Sequence, residues 1–187
     1  MNYLKRFWHF LKKDTWSSWA VSLILTFAAI KFILFPLLSF VFATSLPLVV
    51  VESCSMYHDT SFGPWLEQNS LWYELNNISA SQFERFPFRN GLNKGDIVIV
   101  SGRGNYSVGD VIIFDSDFTY PLIHRVVRND KNLATKGDHN GGQLFQEVGI
   151  ERNQVIGHAI ARVPAIGWLK LIFFEAMKDS EQRGFCK

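Results

Sequence analysis

Cysteine is nearly absent. The 187 residues hold two, Cys54 and Cys186, too few for a disulfide scaffold or a four-cysteine zinc site. Composition leaves open whether these two pair. Histidine, cysteine and carboxylates nowhere recur at metal-ligand spacing, so neither a metal nor a cofactor is expected. Excess charge is also missing: 19 Lys and Arg face 17 Asp and Glu, a net charge of +2. That balance argues against a nucleic-acid partner held by bulk charge. No internal repeat is apparent. Charged residues make up only 19% against 48% hydrophobic, which excludes intrinsic disorder. The length suits one domain and not two full-sized ones.

What is present is distributed unevenly. Between Thr15 and Val51 the only charged residue is Lys31. The run is far longer than the apolar core of a cleavable signal peptide, and long enough for a span of about 20 residues. Trp16 or Trp19 would open this helix at a membrane interface, and it would end between Pro36 and Phe42. Before it lie Lys5, Arg6, Lys12 and Lys13, the flank that stays cytoplasmic. Leu4, Phe7, Trp8 and Leu11 recur among them at helical spacing, as in a helix lying on a bilayer surface. The segments are therefore 1–15, basic and amphipathic; 16–42, a single transmembrane pass; 43–165, an extracytoplasmic domain; and 166–187, amphipathic or membrane-surface.

The rest reads as mainly β. Short apolar runs bounded by Gly, Asn, Asp and Pro recur at 46–53, 96–100, 110–114, 121–127 and 154–163, as in a sandwich or barrel. Residues 57–93 break the pattern with many aromatics. They read as an insertion with helical pieces at 61–75 and 79–86 that packs on the barrel or holds a partner or lipid, and without which the β domain still folds.

Chemistry concentrates in three places. Ser53-Cys54-Ser55-Met56 follows an apolar run, His124 sits inside one, and Asp138 lies in the turn after Lys136-Gly137. A hydroxyl, an imidazole and a carboxylate are the parts of a base-activated nucleophile. If Ser53 to Ser55 continue a strand, Cys54 faces away from Ser55. His58 and Asp59, close to Ser55, read as a loop pair.

In order along the chain come Ser53-x-Ser55-Met56, Lys94-Gly95-Asp96, Gly109-Asp110-Val111-Ile112-Ile113-Phe114, His124-Arg125 and Lys136-Gly137-Asp138. This series resembles the type I signal peptidases, and His124 resembles their archaeal and endoplasmic-reticulum branch. The resemblance implies a signal-peptidase-like β-barrel or sandwich and a membrane-bound serine endopeptidase. It implies Ser55 as nucleophile, His124 as base, and Ser53 with the Ser55 N–H as oxyanion donors. Asp138 matches the family's first acidic position. A second aspartate is usual five or six residues later, where Gln143 and Leu144 stand. The third member is thus Asp138, a shifted Glu147, the Gln143 amide, or absent. Implied partners are signal-peptide-bearing precursors, the lipid bilayer and the translocation machinery. A catalytically impaired interaction module of the same fold is the alternative.

Overall fold

The computed structural model describes residues 2–116, 118, 120–178 and 183–187. They divide into two compact units, Met1–Val41 and Phe42–Lys187.

In the first unit, helix α1 (Tyr3–Leu11) buries none of its residues. Helix α2 (Trp16–Ala29) starts at Thr15, whose hydroxyl accepts the Ser18 N–H, the expected cap for exposed helix-start amides. The helix continues through a π turn (Ile30–Leu34) into α3 (Phe35–Phe42). Pro36 explains the turn. It has no N–H for the carbonyl four residues back, and its ring crowds that carbonyl. Widening the helix lets the Phe35 N–H reach Ile30 O. The whole run Trp16–Phe42 is 27 residues with a mean hydropathy of 2.3, long and apolar enough to cross a membrane.

The second unit is built on one antiparallel sheet. Its strands are β1 (Leu48–Val50), β2 (Ile97–Ser101), β3 (Val111–Phe114), β4 (Leu122–Asn129), β5 (Leu133–Lys136), β6 (Val148–Ile150) and β7 (Val155–Val163). The order is β1-β2-β7-β3-β4-β5-β6. Register shifts at Ile99/Val100, Ile113/Phe114, Val126/Arg128 and Leu133/Ala134 increase local twist and bend the strands. The mainly β reading holds.

Both faces of the central strands are covered, which is why β3 is apolar at every position. Val111 and Ile113 pack with Val51, Met56, Leu92, Val98 and Val100. Ile112 and Phe114 pack on the other face with Val126, Leu133 and Ile150. Residues 57–93 pack on this sheet. They contain α4 (Phe62–Leu75) and α5 (Ala80–Phe83). Trp65, Leu66, Tyr73, Ile78 and Phe83 are buried together with Val127 of β4 and Ala134 of β5. The segment therefore supplies most of one core cluster and Leu92 of another, and its buried aromatics are there because they fill space.

Helix α6 (Trp168–Phe174) leads into a single 3-10 turn, Glu175–Met177. Leu171 is its buried anchor, while Leu169, Ile172 and Phe173 are exposed.

Candidate active site

Strand β1 stops at Val50, and residues 53–56 turn back on themselves, with the Tyr57 N–H on Cys54 O at 3.0 Å. Strand alternation therefore does not apply to Ser53–Ser55. In the turn, the Ser53 and Ser55 hydroxyls lie 3.1 Å apart, while Cys54 is held away from them in a disulfide with Cys186. Met56 is buried in the core behind the turn.

A second turn fixes the first. The His139 N–H donates to Ser55 O at 2.9 Å, and the Asp138 N–H contacts Met56 Sδ at 3.5 Å. Gly137 is required at this crossing. A Cβ there would stand 2.8 Å from Ser55 O and 2.7 Å from the Asn140 amide, so the serine would have to shift. Gly137→Ala is expected to cut peptide or acylating-probe turnover by about 10²-fold, the scale of an ångström of misplacement, with a much smaller effect on Tm. Equal turnover in the variant would show that the crossing does not set the position of Ser55.

Strand β4 carries the imidazole. His124 pairs with Ile112 across β3 and is only 2% exposed. Its Nε2 lies 2.9 Å from Ser55 Oγ. Its Nδ1 lies 2.6 Å from Glu147 Oε1, a close contact outside aligned hydrogen-bond geometry. Glu147 is fully buried at the end of the 3-10 turn Phe145–Glu147, and its other oxygen accepts the Leu144 N–H at 2.6 Å. Thr135 Oγ1 approaches Oε1 at 3.4 Å. With a carboxylate against Nδ1, the favoured tautomer carries its proton there and leaves Nε2 free to accept the Ser55 proton.

Asp138 lies away from the imidazole. His124 and Arg125 are consecutive on β4, so their side chains leave opposite faces of the sheet. Asp138 lies on the Arg125 side. Arg125 Nε and Nη2 donate to its two oxygens at 2.9 and 2.7 Å. His58 Nε2 lies 3.1 Å from Oδ2 and the Tyr73 hydroxyl donates to Oδ1 at 3.2 Å. Burial alone would raise the Asp138 pKa, but the Arg125 charge and the hydrogen bonds from His58 and Arg125 hold it well below the usual carboxylate range. Gln143 is also elsewhere, donating to Thr135 O at 2.8 Å. Of the three groups considered as third member, Glu147 is therefore the one at the ring.

The remaining Arg125 donors reach Gly109 O, Pro87 O and Phe88 O, tying residues 57–93 to the sheet beneath the site. His58 belongs to this buried assembly, stacked on Trp65 with centroids 3.5 Å apart. Nothing in its surroundings in sequence marks it as more than a loop residue. Lys136 is buried against Trp72 and Tyr73. Burial lowers its pKa to about 8, against the opposing pull of Asp138 and Glu147. Among the described residues no cluster suits a metal ion.

No family model matches the chain. It is similar to the signal peptidase complex catalytic subunit of Zygosaccharomyces rouxii, 34% identical over 94 residues that cover 43% of this chain and 56% of that protein. The subunit of the same description from Verticillium alfalfae is 28% identical, covering 45% and 57%. That from Colletotrichum graminicola is 28% identical, covering 56% and 72%. The chain spans a little over half the length of the first two. The likeness of this chain is thus to the type I signal peptidases of the endoplasmic-reticulum branch.

Proposed function

We propose that the chain is a membrane-anchored serine endopeptidase that removes signal peptides from secretory and membrane precursors. The observation that carries this reading is the relay Ser55 Oγ to His124 Nε2 at 2.9 Å and His124 Nδ1 to Glu147 at 2.6 Å. A hydroxyl, an imidazole and a buried carboxylate in contact are the parts that acyl transfer needs. In the first step Ser55 Oγ attacks the scissile carbonyl while His124 takes its proton. The tetrahedral oxyanion is met by the Ser53 hydroxyl and the Ser55 N–H. His124 then gives the proton to the leaving amine, and the peptide bond breaks to an acyl-serine. A water, deprotonated by His124, releases the acid and restores Ser55. Glu147 steadies the imidazolium formed in each half.

The curated relatives are described as catalytic subunits of a signal peptidase complex, which supports the same reading and favours partner subunits. The translocation machinery is a further proposed partner. Lys5, Arg6, Lys12 and Lys13 before the apolar helix favour a cytoplasmic N-terminus and an extracytoplasmic Ser55.

The test uses the full chain in detergent or liposomes with a precursor carrying a signal peptide. Cleavage after small residues, lost in Ser55→Ala, is expected. No cleavage by the wild-type chain, alone or with its partner subunits, would overturn the activity. In sealed inside-out vesicles, added protease is expected to leave the Ser55 domain intact, and its digestion there would overturn the orientation.

A further inference from the structure

The nucleophile turn is held from a side that the chemistry above does not use. Beyond α6, residues 175–178 and 183–187 run back to the segment just before Ser55. Lys178 Nζ donates to Glu52 O at 3.0 Å, and Lys170 Nζ pairs with the Glu52 carboxylate at 2.8 Å. Cys186 is bonded to Cys54, the residue between the two serines. The strap is itself anchored. Lys94 Nζ and the Gly184 N–H both donate to Glu175 Oε2, at 2.8 and 2.7 Å. Phe185 packs on Trp168, with ring centroids 4.6 Å apart. Trp168 in turn donates to Lys94 O.

The contacts converge on residues 52–54, and no substrate chemistry requires them there. A short turn with Ser53 exposed and Ser55 half-buried would otherwise sample many arrangements. The opposite side of the turn is fixed by the His139 N–H on Ser55 O.

We propose that this C-terminal strap, closed by the Cys54–Cys186 bond, is a positioning element for Ser53 and Ser55. It acts through the backbone of residues 52–54 and touches neither substrate nor reacting atoms. The inference rests on the endopeptidase reading for its substrate, but not for its test. Opening the strap takes a dithiol, which becomes a cyclic disulfide as its two electrons and two protons pass to Cys54 and Cys186 as thiols. The nucleophile would then be fully poised only in an oxidising compartment.

The experiment measures labelling of Ser55 by a fluorophosphonate, which needs the activated serine but no peptide recognition, alongside peptide kcat and KM. The chain is kept folded, as judged by near-UV circular dichroism. Cys186→Ser is expected to slow labelling about tenfold, a modest loss of orientation, and to lower kcat in step while KM stays within about twofold. Dithiothreitol on the folded wild-type chain is expected to do the same, with recovery on reoxidation. An unchanged labelling rate in both overturns the proposal and leaves the bond a plain staple. If Cys186→Ser fails to fold, Lys178→Gln decides. With the disulfide intact it is expected to slow labelling severalfold, and a wild-type rate overturns the proposal. Labelling that depends on the strap in a chain that cleaves no precursor would remove the endopeptidase reading and keep the strap.

Discussion

His124→Ala is expected to lower kcat by about 10⁶-fold, as much as Ser55→Ala, because neither group works without the other. Glu147→Gln is expected to cost about 10⁴-fold: the amide keeps the shape but no longer balances an imidazolium, and its NH2 can favour the wrong tautomer. The Leu144 N–H keeps an oxygen acceptor in that variant, so Tm should move little. Peptide turnover under single-turnover conditions, with circular dichroism as the control for folding, measures both. The arrangement is refuted if Glu147→Gln retains near-normal kcat while Asp138→Asn, still folded, loses it.

Asp138→Asn is expected to act on stability. The Arg125 guanidinium is fully buried and meets one carboxylate. Neutralising a single partner of such a pair leaves an uncompensated charge, which costs ~3–5 kcal/mol. In a chain of this size that is a fall in Tm of roughly 10 °C, readable by differential scanning calorimetry. The same carboxylate gives acid sensitivity with a definite sign. Its folded pKa lies below its unfolded one, so its stabilisation is complete above the ordinary carboxylate range and drains away as pH falls below that range toward the folded pKa. Lys136 works at the alkaline end. With a folded pKa of about 8 against an ordinary 10.5, the unfolded chain binds more protons between these values. Its share of stability therefore improves as pH rises across them. Asp138→Asn should flatten the acid limb of the stability curve and leave the alkaline limb in place.

The apolar helix was legible because a run of this length with one charge has few other uses. Strands β2, β3, β4 and β7 were legible for the same reason, each being a short apolar run with turn residues at its ends. Strands β5 and β6 were not. Leu133-Ala-Thr-Lys136 carries a lysine made tolerable by the rings of Trp72 and Tyr73 and by the Gly137 and Asp138 carbonyls, and Val148-Gly-Ile150 is three residues with a glycine. The packing partners of residues 57–93 were not legible because they lie on strands far away in sequence, Val127 and Ala134. At the site, Ser55 and His124 were marked by motif order. The partner of the ring was left open among three residues, because the choice depends on which face of β4 each reaches. The alternation of His124 and Arg125 puts Asp138 with the arginine and leaves Glu147 beside the ring.

The strand order also sets a timetable. Strand β7 lies between β2 and β3 although it is made after both, and β1, which leads into the Ser55 turn, leans on β2 alone. Until Val155 to Val163 arrive, two sheet edges gape and the wall behind the serine is half built. At about 5–20 residues per second, a growing chain spends seconds in that condition. A partly made molecule is thus idle toward passing polypeptides and exposed to edge-to-edge sticking. The site would be completed only once β7 is made, and chaperoning would be needed most just before it.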